Sequence, residues 1–231
     1  MKKYLFGIFA GLAILFTGCL KDDDSYSLDK MWVGFGIVDK QGPGYLSYTI
    51  TMDDGSVLYP SASNAPGFAV EDKGRVLVNY TILGDKNVSG DQKAYYVKIN
   101  SLRKILMKGI LDITPAIEDS IGNDPIYVRD YWISKNLLNF ELRYWGSYEV
   151  HYINLVKQPG VLTPDNEPIE LELRHNKNGD REEIPFSAFV SFDLSSIQLA
   201  GRDSVRFVVR STDYNGEEKS FNGVFHYEGD E

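Results

Sequence analysis

Among residues able to do covalent or acid–base chemistry, Cys19 is the sole thiol, and His151, His175 and His226 are the three imidazoles. A thiolate can act as a nucleophile, and histidines with carboxylates can hold a transition metal. The spacing supports neither. The histidines fall far apart, on separate apolar alternations, without the short intervals that place two ligands on one face. Each reads as a satisfied or exposed strand histidine. Glu170 and Glu172 could pair as glycosidase carboxylates, but they occupy the polar phase of a clean alternation and read as a solvated face. The stretch "NKNGDREE", Asn176 to Glu183, offers clustered oxygens for calcium. It lacks the spaced carboxylates and closing bidentate Glu of a loop site, so it reads as a polar hairpin turn. Nucleophile elbows, His-Glu-x-x-His pairs, phosphate loops and dinucleotide fingerprints are missing too. The expectation is a chain with no catalytic residues, no metal and no cofactor.

Cys19 has another chemistry open to it. Lys2 and Lys3 precede an uncharged run of apolar and small residues from Tyr4 to Thr17, closed by Gly18-Cys19. That is the layout of a secretory signal peptide, too short for the ~20 residues of a spanning helix. The closing Phe16-Thr17-Gly18-Cys19 resembles the bacterial lipobox, in which cleavage between Gly18 and Cys19 leaves an acylated cysteine as the first mature residue. Phe16 stands where Leu is commoner and keeps the position large and apolar. With no partner cysteine, a disulfide is excluded. One acyl chain binds only reversibly, at about 0.8 kcal/mol per buried methylene, whereas two or more hold. The expected lipid anchor therefore tethers the protein without spanning. Lys21, Asp22, Asp23 and Asp24 follow at once. A run of acids is a self-repelling spacer; this one also resembles the lipoprotein export signal of certain Gram-negative gut and oral commensals. The expected address is the outer membrane, lipid-anchored and exposed at the cell surface.

Without Lys2 and Lys3 the chain keeps 22 basic residues against 33 acidic ones, a net of −11. The charge is uneven: residues 25–113 carry ten basic and nine acidic residues, and residues 114–231 carry eleven and twenty-one. The shift falls on "DITPAIEDSIGNDP", whose prolines, glycine and carboxylates read as an exposed boundary. This predicts a signal peptide over 1–18, a lipidated tether over 19–29, and domains over 30–113 and 114–231. Fifteen tyrosines, twelve phenylalanines and three tryptophans suit β-structure.

In the first domain Leu46, Tyr48, Ile50 and Met52 alternate with polar residues, as do Val76, Val78, Tyr80 and Ile82. Asp54-Gly55 signals a hairpin. Trp32 to Val38, Val57 to Tyr59 and Tyr95 to Ile99 complete five strands, the last continuing towards Lys108. Five strands in about 80 residues predict a small β-barrel, of a kind that periodicity leaves open. In the second domain Leu138, Phe140, Leu142 and Tyr144 face inward. Tyr148 to Val156, Ile169 to Leu173, Phe186 to Phe192, Val205 to Arg210 and a hairpin closed by Asn215-Gly216 follow. About six strands with hydrophilic outer faces predict a β-sandwich.

The stretches "YYVKINSLRKILMK", "DPIYVRDYWIS", "LLNFELRYWG" with His151 and Leu155, and "FVVRSTDYNGEEKSFNGVFHY", together with the lipobox, resemble the NigD-like lipoproteins. Met107 departs from the pattern, where a smaller polar residue is expected. The resemblance implies an all-β chain: an amino-terminal OB-type barrel, then a β-sandwich. It implies no catalytic residues. OB folds often bind oligonucleotides, and Lys98, Arg103, Lys104 and Lys108 near Tyr95 and Tyr96 are raw material for a stacking groove. The near-neutral first domain and acidic second one lack the net basic face that phosphate tracking needs. The expected partner is an envelope protein or neutral glycan, not nucleic acid. A glycan-active enzyme and an immunity or accessory factor for a bacteriocin are the alternatives.

Overall fold

The computed structural model describes residues 26–227. The signal peptide, Gly18, Cys19 and the Lys21 to Asp24 run lie outside the described residues. Within them no helix is long and apolar enough to cross a membrane.

Five strands close the barrel: β1 (Trp32–Lys40), β2 (Tyr48–Met52), β3 (Val57–Ser63), β4 (Arg75–Asp85) and β5 (Ala94–Lys104), in the order β1-β2-β3-β5-β4. The alternation read from sequence fills its interior, with Val38, Ile50, Leu58, Val78, Val97 and Ile99 wholly buried. Gly36 lets β1 press on β2, since a Cβ there would lie 2.6 Å from an Ile50 methyl. Gly55, at φ 83°, turns the β2–β3 hairpin in the left-handed region.

The sandwich is built from β6 (Leu106–Gly109), β7 (Leu111–Asp112), the one-turn α1 (Glu118–Ile121), β8 (Tyr127–Ser134), β9 (Leu137–Gly146), β10 (Tyr152–Lys157), β11 (Ile169–Asn176), β12 (Ile184–Asp193), β13 (Ser204–Thr212) and β14 (Glu218–His226). One sheet runs β14-β13-β11-β10-β7 and the other β6-β12-β9-β8. Nine strands replace the six expected, because β6, β7 and β8 carry no clean alternation. Leu138, Phe140 and Leu142 meet Leu155, Leu171 and Phe207 between the sheets. Phe140 and Phe192 pack edge to face at 6.1 Å.

The chain leaves the barrel earlier than the charge shift suggests. After Lys104 the strand breaks at buried Ile105, and β6 and β7 pair with β12 and β10 of the sandwich. The segment 112–125 is pinned at two points, Ile113 and Ile121 buried against Val156, while Pro115, Ala116, Glu118, Asp119 and Ser120 stay exposed. Carboxylates cover its outside, which is why the sequence reads as linker.

Barrel and sandwich meet over a buried seam. Phe35 of β1 packs on Trp132 and Phe189 at 5.3 and 5.1 Å. Arg75, the first residue of β4, is 1% exposed. Its guanidinium takes both oxygens of Asp53 and donates to Asn139 Oδ1 at 3.0 Å and Ser191 Oγ at 3.4 Å. Asn139 belongs to the outer face expected to be solvated; the barrel covers it.

Candidate functional site

The OB barrel opens between β2 and β3. These strands pair at two positions, Ile50 with Leu58 and Thr51 with Val57, and then part. Pro60 has no N–H to continue that ladder, while the other edge of β3 pairs with β5 from Val57 to Ser63, with a register shift between Pro60 and Ala62. The gap is a groove of about 400 Å³. Tyr48, Tyr59 and Tyr96 supply ring faces; Gln41, Ser47, Thr49 and Ser61 supply short polar groups. Among the described residues no carboxylate or histidine lines it.

Each tyrosine is placed by its strand. Tyr59 and Tyr96 are register partners across β3 and β5, their rings 6.4 Å apart. The pleat sends neighbouring Tyr95 the other way, onto the core side. Lys86, on the loop after β4, sits 4.2 Å over the Tyr59 ring and 4.9 Å over that of Tyr96, and donates to the Tyr96 hydroxyl at 3.3 Å. That ammonium caps the ring pair. Tyr96 is 42% exposed. Tyr48 is buried, and burial, assisted by Tyr45, pushes its hydroxyl up to about 12, so it remains a neutral donor at any working pH. The groove can stack on apolar ring faces and exchange hydrogen bonds with hydroxyls.

The remaining sequence candidates are dispersed. Lys104 pairs with Glu71, and Arg103 stays on β5. Lys108 passes to the sandwich, donating to the Ile153 carbonyl and Asn154, and burial lowers its pKa. The basic stretch is therefore not one surface. Glu170 and Glu172 are tied to Arg210 and Arg174. The 176–183 stretch is a polar turn, with Asn178 and Gly179 left-handed at φ 56° and 73°.

One expectation is overturned. His151 and His175 are not far apart: His151 Nδ1 lies 2.8 Å from His175 Nε2, and His151 Nε2 lies 3.1 Å from Asp180 Oδ2. His226 stays apart and exposed on β14. Among the described residues no group of three or more His, Cys, Asp or Glu is placed to hold a metal. The signal for this pairing is phase. His175 continues the inward positions Ile169, Leu171 and Leu173, and His151 precedes inward Ile153 and Leu155 by the same step of two. Tyr59 and Lys86 were also missed, since neither shows its neighbour across the gap.

The models of the NigD-like N-terminal OB domain and the NigD-like C-terminal beta sandwich domain match residues 38–105 and 109–223. No curated protein matches. Among solved structures, a candidate toxin-related protein from Parabacteroides distasonis is 29% identical with a TM-score of 0.70, over 86% of this chain and 95% of its own. A NigD-like immunity protein from Bacteroides caccae is 21% identical with a TM-score of 0.63, over 87% and 99%. A candidate lipoprotein from Bacteroides fragilis shares the fold at 13% identity and a TM-score of 0.59, over 87% and 100%.

Proposed function

Because the chain belongs to the NigD-like family, with that family's OB domain and β-sandwich in succession, we propose that it is a non-catalytic binding protein held by a lipid at the outer membrane, facing outward. Cys19 carries the anchor, and the barrel groove makes the contact. The ligand class is a neutral glycan. The observation that carries this reading is the groove itself: three tyrosines, short hydroxyls and a side-chain amide, without a carboxylate. OB barrels use the strand 2–3 face and the loops after β1 and β4 for oligonucleotides and oligosaccharides, and here those loops bring Gln41 and Lys86. The single ammonium is engaged by tyrosine rings, and the mature chain's net of −11 repels polyanions at long range. A fold-level analogy supports the place; the lining supports the ligand. Titration with a series of neutral bacterial oligosaccharides should show saturable binding that Tyr59→Ala and Tyr96→Ala each weaken roughly tenfold, about 1.4 kcal/mol. Unchanged affinity in both variants would remove the groove from the account.

A second reading has its own observation. The 29%-identical neighbour is described as toxin related, which favours a protein partner and an accessory or immunity role for a bacteriocin. Capture of a secreted peptide in place of glycan would decide for it.

The address has a separate test. With Lys21, Asp22, Asp23 and Asp24 all replaced by Ala, the protein should stay in the membrane fraction but become shielded from protease added to whole cells. Undiminished cleavage would reduce the acidic run to a spacer.

A further inference from the structure

Where the sandwich core reaches the β9–β10 end, its layer of Leu and Ile gives way to His151, His175 and Tyr144. The His151 and Asp180 side chains are 3% and 5% exposed, and His175 is 1% exposed. Four groups form a row: the Pro125 carbonyl, His175, His151 and Asp180, with contacts of 2.8, 2.8 and 3.1 Å.

Counting protons along the row fixes its charge. The Pro125 carbonyl can only accept, so His175 Nδ1 carries a hydrogen. Asp180 also accepts the backbone N–H groups of Ser147, Tyr148 and Arg181. Burial alone would raise its carboxyl, but these bonds and the His151 ring outweigh burial and hold it well below the carboxylate range. As a carboxylate it too can only accept, so His151 Nε2 carries a hydrogen. One more hydrogen must lie between the rings. Two neutral imidazoles supply two hydrogens for three bonds; the pair therefore carries one extra proton. One ring of the pair must therefore donate from both of its nitrogens for all three contacts to be hydrogen bonds.

We propose that His151 and His175 form an acid-sensitive latch, closed by one shared extra proton and opened by a second, which releases the β9–β10 loop. A second proton puts an N–H on both facing nitrogens, His175 Nε2 and His151 Nδ1, across 2.8 Å with no acceptor between. The rings must then separate. His175 is fixed within β11, so the ring that gives way is His151 on the β9–β10 loop, and a loop that moves draws Ser147 and Tyr148 off Asp180 as well. The loop so released carries Tyr148, 85% exposed, and Val150, 65% exposed.

The surrounding charges do not rescue the doubly protonated pair. Asp124, ahead of β8, favours a charge on His175 but is occupied by the Lys177 N–H. Lys177 pairs with Glu182, and Glu183 accepts from Ser147 Oγ. Tyr144 of β9 lies 4.7 and 5.4 Å from the two rings, with its hydroxyl kept protonated by burial, against which Arg103 acts. Phe186 of β12 covers Tyr144 at 5.8 Å. Burial holds the pKa of His175 below the ordinary value of about 6.5. The sign follows: between that value and the lower folded one, the unfolded chain takes up a proton that the native chain refuses. Stability is therefore lost as pH falls through this window.

The test is ¹⁵N nuclear magnetic resonance of histidine side chains in the full chain, with His226→Gln to simplify assignment. At pH 7 one ring of the pair should be doubly protonated and the other singly. From pH 7 to 5, amide protection at Ser147 and Tyr148, corrected for intrinsic exchange, should fall roughly tenfold or more. Protection at Val38, bonded to the Gly74 carbonyl within the barrel, should hold. His175→Gln should flatten the pH response of the loop. Two singly protonated rings at pH 7, or loop protection unchanged to pH 5 in the wild-type chain, would overturn the latch, whether or not the variant folds.

Discussion

With Asp53 replaced by alanine, the chain is expected to lose about 3–5 kcal/mol of stability, a large share of the 5–15 kcal/mol typical of a folded domain. The Arg75 side chain is wholly buried, while Asp53 keeps 26% of its side chain in contact with solvent. Deleting the carboxylate leaves the guanidinium without its charged partner, open to solvent only on the side that Asp53 occupied. Asn139 and Ser191 remain, but neither carries charge. Arg75→Met is expected to cost less, because the charge leaves together with its desolvation cost. Ser191 still donates to Asn139 Oδ1 at 2.7 Å once the arginine is gone. Urea denaturation of both variants checks the ordering. If Arg75→Met is the worse of the two, Asp53 is not what makes the buried charge tolerable, and the seam is held by its packing against Phe35, Trp132 and Phe189.

The second large effect concerns the anchor. Cys19→Ala should abolish fatty-acid labelling and stop lipoprotein-type processing. If Cys19 carries two or more acyl chains, as proposed, each buried methylene adds about 0.8 kcal/mol to the attachment, and none of it survives without the thiol. The unprocessed precursor keeps its leader, so release is read on mature-length protein alone, which should be soluble. Mature-length variant that still sediments with membranes would contradict the lipid anchor and point to a protein tether.

What could be read in advance follows from which interactions are local. Leu138, Phe140, Leu142 and Tyr144 announce their strand and its inward face because burial imposes a period of two. Gly55 and Gly179 mark turns for a similarly local reason. Arg75 and Asn139 give no such signal. Each looks like the polar phase or the charged start of an ordinary strand, and only the docking of a second domain turns that face inward. The break at Ile105 is hidden for a related reason: a strand that passes from one sheet to another keeps its alternation, so the pattern runs on to Lys108 without a mark. His151 and His175 lie between these cases. Their phase is visible, but the residue type argues for a surface. The groove is least legible, since it depends on Pro60 ending one ladder while Tyr59 and Tyr96 meet across another.

On the proposed reading the groove takes a neutral ligand through ring faces and short hydroxyls rather than through charge. Titrating the mature protein with neutral oligosaccharides and with single-stranded oligonucleotides at several salt concentrations separates the two modes. Glycan binding should barely change with salt and be weakened by Tyr96→Ala, and oligonucleotides should bind weakly or not at all at physiological salt. Tight oligonucleotide binding that falls steeply as salt rises, the mark of released counterions, would contradict that reading.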